Sequence, residues 1–320
     1  MSVPLARFEY VSEPRDSKGP VRERRVDDGV EELARWLRDQ VAQGLAAAER
    51  APVSVWDEAS RRLVNAQAPA LAGQVRSLAA VPRSGERWPA RLLEEYGLLH
   101  LLVRAHQRRS ALPEPLRATI RSRVGFTVAK DEVLARARIR DRWYVAAVHD
   151  EPQDGLTARR VWLRGLGTGR PALVLSFAAA GRPLDGSFTV GTAFDADLAF
   201  YPGAQPLRAL VAERHAAPEP AEPPGTSIAE LLDSYATALS RDPWLDRWPA
   251  LLAGVRLARA EGSLHLTDSS GAALPLTTAD PWRLLAVSGG APVTIAAEWT
   301  PTGLTPLTAW HPVEGHVPLR

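Results

Sequence analysis

The sequence predicts an α+β protein with an N-terminal antiparallel helical bundle, followed by a β-rich region and a C-terminal part of mixed α and β. Three observations carry this expectation. Apolar residues recur at helical spacing from Val30 onward, and near residue 141 the period falls to two. A proline-dense stretch at 216–226, APEPAEPPGTS, then separates the strand-like segments from a last alternation of helix and strand.

Residues 1–26 mix charge, proline and glycine with little apolar content, so they predict a flexible tail. From there Val30, Leu33, Leu37, Val41 and Leu45 mark an amphipathic helix, with Asp27 or Asp28 as its N-cap. Ser54 and Asp57 resemble a capping box ahead of the stripe Trp56, Ala59, Leu63 and Ala66, which Pro69 interrupts; Leu71, Val75 and Leu78 continue beyond it. The longest helix is expected from about Pro89 to Arg109, burying Leu92, Leu93, Tyr96, Leu99, Leu102 and Val103. A shorter one follows Pro115 and ends near Gly125. Residues 27–137 thus read as the bundle.

Trp143–Val148, Ala158–Leu163, Leu173–Phe177 and Thr192–Phe200 read as strands of an antiparallel region spanning 138–215. The stretch 216–226 reads as a stiff linker. Residues 227–320 form the mixed part: a helix over Ser227–Ser240, a Ser270-Gly271 turn, a helix start at Asp280-Pro281-Trp282 and a closing hairpin over 292–299 and 304–310. Asp242-Pro243-Trp244 echoes 280–282, and the echo is read as structural.

The chain has no cysteine, which excludes disulfides, thiolate zinc sites and a thiol nucleophile within it. Its start lacks the basic-then-apolar pattern of a secretory signal and no apolar run is long enough to span a bilayer, so a cytoplasmic location is expected. Positive charge is almost all arginine, Lys18 and Lys130 being the only lysines. It is concentrated between 104 and 170, while 171–320 is acidic.

No catalytic set emerges, and the protein is expected not to be an enzyme. Gly165, Gly167 and Gly169 suggest a phosphate loop, but a strand-like run follows where such a loop needs a helix, so a hairpin turn is expected. Asp195 and Asp197 form a D-x-D pair whose alternation with Phe194, Ala196 and Leu198 also describes a strand with one wet face. None of the seven histidines, His100, His106, His149, His215, His265, His311 and His316, falls in a helical zinc motif, so no metal and no cofactor are expected. Arg104 and Arg108, and Arg117 and Arg121, share helix faces; Arg138, Arg140 and Arg142 alternate at strand spacing. With Arg109 they form a candidate surface for nucleic acid or an acidic partner, set against a solvated arginine face paired within the fold.

The segments VEELARWLRDQVAQGL, VWDEASRRLVNAQAPALAGQVRSLA, GERWPARLLEEYGLLHLL, RPALVLSFAAAGRPL, FYPGAQPLRALV and ADPWRLLAVSGGAPVTIAAEW resemble bacterial SWIM zinc finger proteins, in the region that follows the finger. The family's Cys/His zinc site has no counterpart among these residues, so no zinc ligand carries over. The resemblance implies a protein-interaction or scaffold role without catalysis, in an assembly with MoxR-type AAA ATPases and von Willebrand factor A proteins. Nucleic-acid binding through the arginines of 104–170 is the alternative.

Overall fold

The computed structural model describes residues 19–319 apart from 154, 180, 261, 278–280 and 312. They form two compact units, one holding the residues up to Pro113 with 120–127, the other holding 114–119 with the residues from Val128 onward.

The first unit is built from helices α1 (Gly19–Gln43), α2 (Leu45–Arg50), α3 (Val53–Asn65), α4 (Pro69–Ser77) and α5 (Trp88–Gln107). Val30, Leu33 and Leu37 of α1, Trp56 and Leu63 of α3, Leu71 and Val75 of α4, and Leu92, Leu99 and Leu102 of α5 supply its buried core. The tail expected over 1–26 is corrected for residues 19–26, which are helical. Residues 1–18 lie outside the described residues, but α1 already runs from Gly19, with Val26 fully buried. What holds this first turn lies a hundred residues away: the Arg22 guanidinium donates to the carbonyl of Gly125 at 3.0 Å and stacks on Phe126. Asp27 and Asp28 are therefore inside a helix rather than capping one. Ser54 is likewise in the first turn of α3, whose N-cap is Pro52 in extended conformation. Val41 and Leu93, expected inside, are exposed at 56% and 55%.

Helix α6 (Glu114–Val124) ends at Gly125, whose φ of 125° most side chains avoid. After α7 (Lys130–Leu134), the second unit becomes β. Strands β1 (Arg138–Gln153), β2 (Leu156–Gly165), β3 (Pro171–Ala179), β4 (Thr192–Phe200) and β5 (Arg208–Arg214) close into a ring, in the order β1-β2-β3-β5-β4 and back to β1. All pairings are antiparallel except β3 with β5, which is parallel. The expectation of a purely antiparallel region is corrected there, because ring closure brings two strands of the same direction together. The interior holds Trp143, Val161, Leu163, Phe194 and Leu198. This is the ring of a small Greek-key barrel of OB type.

The linker expected at 216–226 is part of the fold. Its β6 (Glu219–Pro220) pairs with β4, and Thr226 exchanges backbone hydrogen bonds with Leu251 and Ala253. The prolines sit where no ladder donor is required. Helix α8 (Ile228–Arg241) follows, opened by a capping box between Ser227 and Glu230. Asp242-Pro243-Trp244 ends this helix instead of starting one: Asp242 is its C-cap, and its carboxylate accepts the Trp244 amide.

Strands β7 (Trp248–Ala260), β8 (Ser263–Thr267) and β9 (Ala273–Pro275), helix α9 (Trp282–Ser288), β10 (Val293–Thr300), β11 (Gly303–His311) and β12 (Gly315–Pro318) complete the chain. Asp280, the expected lead-in to α9, lies outside the described residues. The second sheet repeats the first. Its order is β9-β8-β7-β10-β11 with β12 added beside β11, and a parallel bridge between Leu276 and Leu304 links the β9 end to β11. First, second, third, fifth and fourth strands thus follow one another in both rings, with the parallel contact in the same place. Asp141-Arg142-Trp143 lies within the first strand of one ring and Asp246-Arg247-Trp248 leads into the first strand of the other, each tryptophan buried. Pro206-Leu207 and Ala209 recur as Pro306-Leu307 and Ala309. The rings pack through Tyr144, Trp162 and Leu173 of one against Leu251, Ala296 and Leu307 of the other.

Candidate functional site

Helices α1 and α3 leave an open groove of about 470 Å³ between them. Its wall is the half-buried indole of Trp36, packed edge-on to Trp56 and Tyr96. These rings are held because Trp56 and Tyr96 are both core residues, so the Trp36 face is presented on a rigid floor. Glu32, Asp39 and Glu58 line the rim together with Arg35 and Arg62, a balance of three carboxylates to two guanidiniums, and Arg62 donates to both Glu32 and Glu58. The groove therefore combines an aromatic wall with carboxylates only partly neutralised by guanidinium. Such a surface suits an apolar anchor with a basic neighbour. Composition hid it, because Trp36 shares a helical stripe with core residues.

The eight arginines singled out from sequence are mostly engaged within the fold. Arg109 donates to Asp27 at 2.9 Å, Arg117 to Glu114 at 2.6 Å and Arg121 to Glu23 at 2.8 Å. Arg140 holds Asp195 through two hydrogen bonds, at 3.1 and 2.7 Å, while Arg138 and Arg142 lie 3.8 Å from Glu213 and Glu219. Arg104 donates to Gln107, and Arg108 is the exposed C-cap of α5. They are thus spread over both units, and six of them face carboxylates.

The glycine turn is filled from inside. Asp141 accepts the backbone N–H groups of Gly167 and Thr168 and the Thr168 hydroxyl at 2.6–2.9 Å, together with the Arg142 N–H at 2.7 Å. Burial pushes this carboxyl up, but these donors outweigh it and hold the group below its ordinary range. The anion at this nest of donors is the chain's own carboxylate.

Asp195 and Asp197 share the wet face of β4 and divide their partners. Asp195 takes Arg140, whereas Asp197 lies 3.3 Å from His215 Nε2. Asp197, Glu213 and His215 each bring a ligand atom within 4.8 Å of the others. Among the described residues these donor types suit a divalent cation, a convergence across β4 and β5 that a search for local histidine motifs overlooks. Arg138 and Arg140 press on the same carboxylates and compete with a cation there.

A helical-bundle domain carrying an aromatic groove, joined to a β-barrel body, is the class of protein this arrangement defines. Residues 21–124 match the family model described as the SWIM-associated four-helix bundle domain. The chain carries that domain, as the resemblance implied, and the match is consistent with a SWIM-family protein; no cysteine for a finger's zinc ligands lies in the sequence. No curated protein and no solved structure matches the chain. Among the described residues, no helix is long and apolar enough to cross a membrane.

Proposed function

We propose that this protein is a non-enzymatic interaction module whose SWIM-associated bundle docks a partner segment in the groove between α1 and α3. The observation that carries the reading is the Trp36 wall, fixed from behind by Trp56 and Tyr96 and rimmed by Glu32, Asp39 and Glu58. Rigid aromatic walls supply binding energy with little loss of side-chain freedom, and the carboxylate rim selects partner charge. The partner segment is an apolar side chain flanked by lysine or arginine. The family association named above makes a MoxR-type ATPase or a von Willebrand factor A protein the first candidate to supply it.

Random-peptide display against the full chain tests this. Enrichment of an apolar residue beside basic ones, with binding lost in Asp39→Arg, supports the reading. Failure to enrich any motif, or equal binding by Asp39→Arg, overturns it. The nucleic-acid alternative has less support, because the ion pairs at Arg109, Arg117, Arg121 and Arg140 reduce the counterion release that drives such binding.

A further inference from the structure

Helix α5 carries apolar residues outside its buried stripe as well as within it, interleaved with Glu94, Arg104 and other charged side chains. One face of it is open. Leu92, Tyr96, Leu99, Leu102 and Val103 are buried, whereas Leu93 is 55% and Leu101 44% exposed. Ala90, Glu94, Gly97, Leu101 and Arg104 follow one another along the open face at alternating steps of four and three, and the exposed cap Arg108 continues the line. That is the spacing of a seam between two packed helices. Gly97 sits in its middle. Glycine is the poorest helix former after proline, and a Cβ at Gly97 would meet nothing within 4 Å, so no neighbour among the described residues requires its smallness.

We infer that this face pairs with the same face of a second copy, the two α5 helices running antiparallel about a two-fold axis at the level of residue 99. The sequence is self-complementary about that level. Leu101 of each copy enters the hollow over Gly97 of the other, which is the knob-into-hole relation the glycine makes room for. Glu94 faces Arg104 of the second copy, Ala90 faces its Arg108, and the two Leu98 side chains approach each other beside the axis. A parallel arrangement would set Glu94 against Glu94 and Arg104 against Arg104. The antiparallel one turns both into attractive pairs, as a closed isologous contact requires. The seam is independent of the α1–α3 groove.

The test is sedimentation of the full chain over a range of concentrations. The native protein shows a monomer–dimer equilibrium. Leu101→Glu, Glu94→Arg and Arg104→Glu each raise the dissociation constant about tenfold or more, and Glu94→Arg with Arg104→Glu restores it. Because the chain has no cysteine, Leu98→Cys introduces one thiol. Mild oxidation then yields a disulfide-linked dimer, whereas Val64→Cys, exposed on α3, does not cross-link. A chain that stays monomeric into the hundred-micromolar range overturns the inference. So does a dimer that Leu101→Glu leaves intact, or one the paired charge swap fails to rescue.

Discussion

The indole N–H of Trp162 donates to the carboxylate of Glu298 at 2.7 Å, across the contact between the two barrels. Glu298 is almost fully buried and also receives Arg160 at 3.2 Å and Arg247 at 2.9 Å. Burial pushes its pKa up, but the indole and the two guanidiniums outweigh that and hold the carboxyl below its ordinary range.

Stability at this joint therefore depends on pH. A carboxyl with a lowered folded pKa contributes stability above its ordinary value, and that stability is lost as pH falls through the folded value. Glu298→Ala, which leaves both arginines only the more distant Glu151, at 4.0 Å from Arg160 and 3.5 Å from Arg247, is expected to cost about 3 kcal/mol. Glu298→Gln keeps one hydrogen-bond acceptor for Trp162 and costs less, and it flattens the acid limb of the stability profile. Denaturant unfolding across the acid range reads both effects.

In the bundle, Asp27 ties α1 to the end of α5 by accepting from His106 Nε2 at 2.7 Å and Arg109 at 2.9 Å. Burial, opposed by the Asp27 bond, holds the His106 pKa below 6.5. The unfolded chain takes up that proton first, so stability is full above the ordinary histidine value and falls as pH drops below it. Asp27→Ala leaves His106 without this partner and is expected to cost about 1–3 kcal/mol. Unfolding measured on either side of neutrality, with His106→Gln as the variant lacking the slope, checks the assignment.

Gly29 is a case where two effects oppose. Alanine improves helix propensity by about 1 kcal/mol. Its Cβ, however, would fall onto the Cβ of Ala66, and overpacking of this kind costs about 1–3 kcal/mol. Steric crowding wins, so Gly29→Ala is expected to lower the melting temperature. A rise would show that α1 and α3 are free to part.

Removing the carboxylate at Asp141 empties the nest of donors in the 165–169 turn. Asp141→Ala is expected to cost about 1–3 kcal/mol and to speed amide exchange at Gly167 and Thr168. Unchanged protection at both amides would contradict the role given to Asp141.

The helices and most strands were legible because their signals are local. The stripe through Leu33, Leu37, Trp56 and Leu63 and the alternation around Trp143 needed no distant partner to be read. What escaped depends on residues far apart in sequence. The start of α1 rests on Gly125 and Phe126, and the ring closure joins β3 to β5 across the β4 segment. The repeat of one barrel by the other resides in strand order more than in residue identity, so the Asp-Pro-Trp echo pointed elsewhere. Leu93 was misplaced because α5 is apolar on both faces, which leaves periodicity nothing to distinguish. The arginine surface is read from spacing and from the local excess of positive charge, whereas its ion pairs with Glu23, Asp27 and Asp195 span 55 to 98 residues.

Affinity capture from the native host, run in parallel with the native chain, Asp39→Arg and Leu101→Glu, tests the central claim most directly. The expected result is a stoichiometric protein that the native chain and Leu101→Glu both retain and Asp39→Arg loses. Equal recovery by all three, or no stoichiometric protein with any, would contradict it.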